Sequence, residues 1–352
     1  MKSANRLVFA VAAVSVTALG PLTGAHDAGA SAPAGASRMV IGTAHARLAA
    51  GQPLLKYYGG TNGVGVQVHP RVYVVFWGSQ WGTAGRSGAN LTFSNDPVHA
   101  APYLQNFLRG LFGSQDTWST STTQYCQGVA KGSTACPLSA VFVNHPSASP
   151  LAGVWADVGA AAPLEATNKQ IGLEADRAAV HFGNTTAASN TSVQYAIVSP
   201  TQTHPGGFGL PNNSWCAWHD FTRAKDIAVT TPRGNIAFTN LPYQSDQGPN
   251  CGQGFVNTPG LLDGWSIVGG HEYAETVTDF WPQAPVGSSN LTSGGWFEPT
   301  FGENGDKCAW ITPGTPGGAA DIRLSTGTFA VQSLWSNRAN SGHGGCVIRY
   351  TG

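Results

Sequence analysis

The run DGWSIVGGHEYAETVTD, Asp263 to Asp279, organises the reading of this chain. On a wheel turning about 100° per residue, Ile267, Gly270, Ala274 and Val277 form an apolar face. His271 and Glu275 are four apart and stand one turn above each other. Glu272 points to the side of that pair. Gly269 and Gly270 directly precede His271 and would let another element approach closely, at some cost in helix stability. The chain has 18 acidic residues. Seven of them, Asp263, Glu272, Glu275, Asp279, Glu298, Glu303 and Asp306, fall within 44 residues, about a threefold enrichment.

An i, i+4 pair of donors can hold one metal ion without bending the helix, and the Glu between them can reach a water as general base. H-E-x-x-H helices work this way, and here Glu275 stands in the place of the second His. Catalytic zinc takes three protein ligands and keeps a fourth position open, so a third donor is needed. Glu303 and Asp306 in G-E-N-G-D-K-C are the first candidates, with Asp279 and His219 next. Asp279 could instead accept the free ring N–H of His271. His219 or Tyr273 could stabilise an oxyanion. Calcium would suit the carboxylates but not His271. The bland alternatives are a solvated helix face at Glu272 and Glu275, and a polar turn at Asn304-Gly305. A serine nucleophile has no support, since the run around Ser266 lacks the G-x-S-x-G elbow.

Working outward, Lys2 and Arg6 precede an uncharged apolar run, Leu7 to Gly20, with small-residue sites after it. This predicts a signal peptide over 1–32, and with it export from the cell. The Ala-, Gly- and Ser-rich segment 33–56 reads as a flexible linker or short propeptide. The folded part is expected over 57–352. Charged residues make up 10% of the chain and the formal net charge is zero, with no basic cluster. Nucleic-acid and anionic-membrane capture are therefore not expected. Six cysteines in an exported chain favour three disulfides. Fifteen pairings are possible; neighbours in sequence are favoured, Cys126 with Cys136, Cys216 with Cys251 and Cys308 with Cys346. No CxxC spacing supports a zinc knuckle.

Strands are predicted at Arg71–Gly78, Ser192–Ser199, Ile227–Thr231, Asn235–Asn240 and Phe329–Trp335, and helices at Pro97–Phe112, Thr167–Phe182 and Leu261–Asp279. The order suggests a single layered α+β domain with a mixed sheet, an active-site helix and a loop-rich, disulfide-bonded C-terminal part.

Several patches in order resemble the phosphate-induced, Exordium-like secreted proteins, of which this chain looks like a bacterial relative. They are Tyr57-Tyr58-Gly59-Gly60 leading to Phe76-Trp77-Gly78; Cys216-Ala217-Trp218-His219-Asp220-Phe221; Leu262-Asp263-Gly264 leading to His271-Glu272 and Ala274-Glu275; Glu303, Asp306, Lys307 and Cys308; then Phe329 to Gln332, Trp335 to Asn337, and Cys346. The resemblance implies site positions at His219, His271, Glu272, Glu275, Glu303 and Asp306, and the pairing of Cys308 with Cys346. Gly270 and Tyr273 depart from its Ala and Leu. The layout also resembles the zincin-like metalloproteases, and that likeness carries over to His271 and Glu272 alone. Two functions are expected from these readings. One is a secreted zinc endopeptidase, acting as a monomer on protein or peptide. The other is a non-catalytic protein that binds cell-wall polymer or polysaccharide and holds a structural metal.

Overall fold

The computed structural model describes residues 39–42, 52–146, 148–284 and 291–350. The expected signal peptide, 1–32, lies outside the described residues.

A six-stranded sheet is built from β1 (Met39–Gly42), β2 (Val72–Trp77), β3 (Leu151–Asp157), β4 (Gln194–Val198), β5 (Trp215–Phe221) and β6 (Ala237–Leu241). Their order across the sheet is β1–β5–β6–β4–β2–β3. Neighbours β6, β4, β2 and β3 run parallel. Only β5 opposes the rest, pairing antiparallel with both β6 and β1. Strand β2 is apolar and buried along its whole length, as an inner parallel strand covered on both faces must be. Part of the segment expected as linker or propeptide is thus built into the sheet, as β1. Its last residues are also fixed: Leu55 is fully buried, and its backbone exchanges two hydrogen bonds with the Asn337 side chain.

Among the described residues the sheet is covered by helices α1 (Ala100–Gly110), α2 (Asn168–His181) and α3 (Asp263–Thr278). Helix α1 starts later than its apolar pattern suggests, because Asp96 accepts the N–H groups of Ala100 and Ala101 and caps it there. Helix α2 opens on a capping box between Thr167 and Gln170 and is followed by Gly183 at φ 77°, as its sequence implies. Successive strand residues face opposite sides. On β6, Phe238 meets Gly172 of α2, whereas Thr239 lies with Gly269 and Tyr273 of α3. Helices α2 and α3 therefore lie on opposite faces. His219 is paired with Thr239, and directly paired residues share a face. That register aims His219 at α3.

Two predicted strands differ from the structure. Ile227–Thr231 is a turn and an extended connection, because Ala228 adopts φ 52°; its Ile227 and Val229 pack beside Gly172 of α2. Phe329–Trp335 is divided. The hairpin β7 (Ala320–Leu324) and β8 (Gly327–Val331) ends before Gln332, and β9 (Leu334–Ser336) pairs instead with β10 (Gly345–Val347). The three disulfides join Cys126 to Cys136, Cys216 to Cys251 and Cys308 to Cys346, and fit an exported protein. Among the described residues, no helix is long and apolar enough to cross a membrane.

Candidate metal centre

All sixteen residues of α3 are buried, so Glu272 and Glu275 are not a solvated face. The two glycines explain how α1 comes so near. A Cβ on Gly270 would stand 2.9 Å from Trp118 and 3.0 Å from Phe107, and one on Gly269 would stand 3.2 Å from Leu104. Measured from His271, Glu275 lies about 40° round the helix and Glu272 about 100°. All three point into the space between α3, β5 and the loop Glu303–Asp306. Tyr273 lies about 200° round and is corrected out of the site. It lines a small apolar pocket with Leu104, Leu108 and Thr239, too far round to meet an oxyanion at His271.

Glu275 is the hub. Its Oε2 is 3.0 Å from His271 Nε2 and 3.7 Å from His219 Nδ1, while its Oε1 accepts the Asp306 N–H at 2.8 Å. His219 Nδ1 donates to Glu272 Oε2 at 3.1 Å, and His219 Nε2 is 3.5 Å from Glu303 Oε1. Asp306 Oδ1 is 3.6 Å from His271 Nε2. Two groups of donors lie close enough to share an ion, His219 with Glu272 and Glu275, and His271 with Glu275 and Asp306, and Glu275 belongs to both. His219, expected either as a further ligand or as an oxyanion stabiliser, lies among the candidate ligands, supplied from β5.

The surroundings of His271 correct a second expectation. Its Nδ1 lies 3.1 Å from Gln332 Oε1, not against Asp279. Gln332 in turn donates to Gly305 O at 2.7 Å. Gln332 therefore ties the helix to the Glu303–Asp306 loop, which is possible because the final strand breaks just there. Asp279 accepts the Gly295 N–H at 2.6 Å instead. Two of the clustered acids lie elsewhere: Asp263 holds the N–H groups of Val256 and Asn257, and Glu298 those of Thr300 and Phe301.

This cluster is rich in buried polar atoms that lack a well-formed hydrogen bond. His271 Nε2 and Glu275 Oε2, and His219 Nε2 and Glu303 Oε1, only face each other as ion pairs, while Glu272 Oε1, Asp279 Oδ2 and Glu303 Oε2 are buried without a hydrogen bond. Such atoms are normally satisfied, and leaving one bare costs roughly 1–3 kcal/mol. Among the described residues, no Lys or Arg pairs with Glu272, Glu275, Asp279 or Glu303. Burial pushes the carboxyls of Glu272, Glu275 and Asp279 up to about 7, and that of Glu303 well above the usual range. Burial pulls the His219 imidazole down, but the Glu303 charge and the hydrogen bond to Glu272 outweigh it, and the net direction is well above its ordinary value. A divalent cation would satisfy these atoms and take the place of the protons that burial otherwise keeps on the carboxyls. Two imidazoles among the donors suit zinc better than calcium.

Gly305 makes the packing here testable. It has an ordinary negative φ, yet a Cβ on it would stand 2.8 Å from both Glu275 Oε1 and His271 Nδ1. Gly305→Ala should displace the donors without straining the backbone. The expected result is metal affinity weakened by about tenfold or more, in a protein with unchanged circular dichroism. Titration with a chromophoric chelator checks it.

No family model, no curated protein and no solved structure matches the chain. The Exordium-like and zincin-like resemblances gain no support from these comparisons.

Proposed function

We propose that the protein is an exported metal-dependent hydrolase, a zinc endopeptidase in which His219, His271 and Glu275 hold the ion. The observation that carries this reading is the gathering of buried donors from α3, β5 and the Glu303–Asp306 loop into two adjoining groups that share Glu275. Glu275 stands where the second His of the motif would, His219 adds an imidazole from β5, and Glu303 beside His219 and Asp306 beside His271 are further donors. Zinc there would polarise a peptide carbonyl and a water. Glu272, with one oxygen held by His219 and the other bare, is placed to take the proton from that water.

The non-catalytic reading has one observation in its favour: the side chains of His219, His271, Glu272 and Glu275 are all 0% exposed, as in a closed structural site. The cavity of about 650 Å³ lined by His69, Arg71, Asn144 and His145 shares no residue with the cluster. Elemental mass spectrometry on the purified chain, dialysed with zinc supplied throughout production, tests both readings. About one zinc per chain is expected, lost in His271→Ala. A metal-free protein would remove both the hydrolase and the structural-metal reading.

A further inference from the structure

Strand β5 is fully buried and is one strand in from the edge of the sheet only because β1 covers it. Without β1, its outer row of backbone N–H and C=O groups would be open, and an open edge is a template for any extended chain. The covering strand comes from the N-terminal segment and is joined to the rest of the fold through residues 43–51. It pairs antiparallel with β5, Met39 opposite His219, Val40 opposite Trp218, Ile41 opposite Ala217 and Gly42 opposite Trp215, with Cys216 bulged out of the ladder. The far end is pinned by Trp310, whose Nε1–H donates to Gly42 O at 2.9 Å.

Two features make this edge more than a place where a sheet happens to end. The strand it belongs to carries His219, so a chain lying along it runs past the metal cluster, and Met39 is the residue directly beside that histidine. Ile41 is paired with Ala217, two residues from His219 on the same strand, so its side chain lies on the face of the sheet that bears the cluster, and it is fully buried there. The edge therefore supplies a backbone ladder and a closed apolar seat for one aliphatic side chain, which are the two elements of recognition by strand addition.

We propose that the outer edge of β5 is the binding site for an extended peptide with a β-branched aliphatic residue in the seat of Ile41, and that in the intact chain Met39–Gly42 occupies this site and keeps it closed. The peptide runs antiparallel to β5. Its backbone on the N-terminal side of the aliphatic residue passes His219, so in a substrate the bond presented to the cluster lies N-terminal to that residue. This deepens the hydrolase reading and rests on it for the meaning of the peptide as substrate; the binding itself does not depend on hydrolysis.

The test uses the whole chain with a site-specific protease sequence inserted between residues 43 and 51, in a Glu272→Gln background so that the probe is not consumed. The probe is a fluorescent nonapeptide of residues 36–44, ASRMVIGTA, read by anisotropy. Uncut protein should not take it up. After cutting and exchange against excess unlabelled peptide, uptake should appear, and the same peptide carrying Ile41→Asp should bind at least about tenfold more weakly. The fold of the body is covalently unchanged by the cut, and circular dichroism before and after confirms it. Cut protein that binds neither peptide, or both equally, overturns the proposal whatever its metal content. Uptake of the probe by the cut protein with Glu272 intact, zinc bound and no hydrolysis, leaves the edge assigned and sinks the hydrolase reading instead.

Discussion

Glu272→Gln is expected to keep its zinc and to lose peptide hydrolysis by about 10³-fold. Glu272 is fully buried, and its Oε2 accepts from His219 Nδ1 at 3.1 Å while its Oε1 finds no partner. Glutamine has the same shape and can still accept that hydrogen bond, so the positions of His219 and Glu275 should hold. What it lacks is the ability to take a proton at neutral pH. A general base contributes about 10²–10⁴-fold in comparable sites. The measurement is kcat/KM on a cleaved peptide, with elemental analysis on the same sample. The paired readout matters because Glu272 also lies within reach of an ion together with His219 and Glu275. If zinc and activity fall together, Glu272 is a ligand. If zinc stays and the variant is as active as the parent, the base is another group.

The site was only half legible in the chain, and the reason is physical. His271, Glu272 and Glu275 lie on one helix, where periodicity alone fixes which side chains meet. Glu303 and Asp306 could be found by the local concentration of acids. His219 was harder to place as a ligand. It reaches the cluster because β5 pairs with β6 in a register that sets it opposite Thr239, a contact between distant parts of the chain. The run Trp215-Cys216-Ala217-Trp218-His219-Asp220-Phe221 is buried throughout and shows no simple alternation from which its inner face could be read. Gln332 was hidden for a different reason. Phe329 to Trp335 reads as one apolar strand, and nothing local marks the break that turns Gln332 toward His271. Tyr273 was misplaced by sequence proximity alone, since the residue two after His271 faces nearly the opposite way. The fold shows the same division. Elements with their own caps or apolar runs, such as α2 and β2, match their sequence signals. Strand β1 lies in a segment whose Ala, Gly and Ser content suggests a linker, and its place comes from the edge it covers.

Stripping the metal should cost more stability than most single substitutions, and the loss should grow with pH. If zinc is held at a thousand times its dissociation constant, removing it lowers stability by about 4 kcal/mol, which for a chain of this size is a fall in Tm of about 6 °C. The pH dependence follows from the protons of the metal-free cluster. Burial holds the carboxyls of Glu272, Glu275 and Asp279 up at about 7, from ordinary values of 4.5, 4.5 and 3.8. Between those limits the stripped, folded protein keeps protons that the unfolded chain has released. Stability then falls as pH rises through that window. His219, held above its ordinary 6.5, acts with the same sign at higher pH, because its folded form again keeps the proton longer. With zinc bound, the ligands carry no such protons and the slope is removed. Differential scanning calorimetry on zinc-loaded and chelator-treated protein should therefore show melting curves that nearly meet at about pH 5 and separate widely at about pH 7.5. Curves that coincide at both values would mean that the bare donors of His219, His271 and Glu275 are satisfied by protons and hydrogen bonds, and the cluster would then be a polar core with no ion to lose.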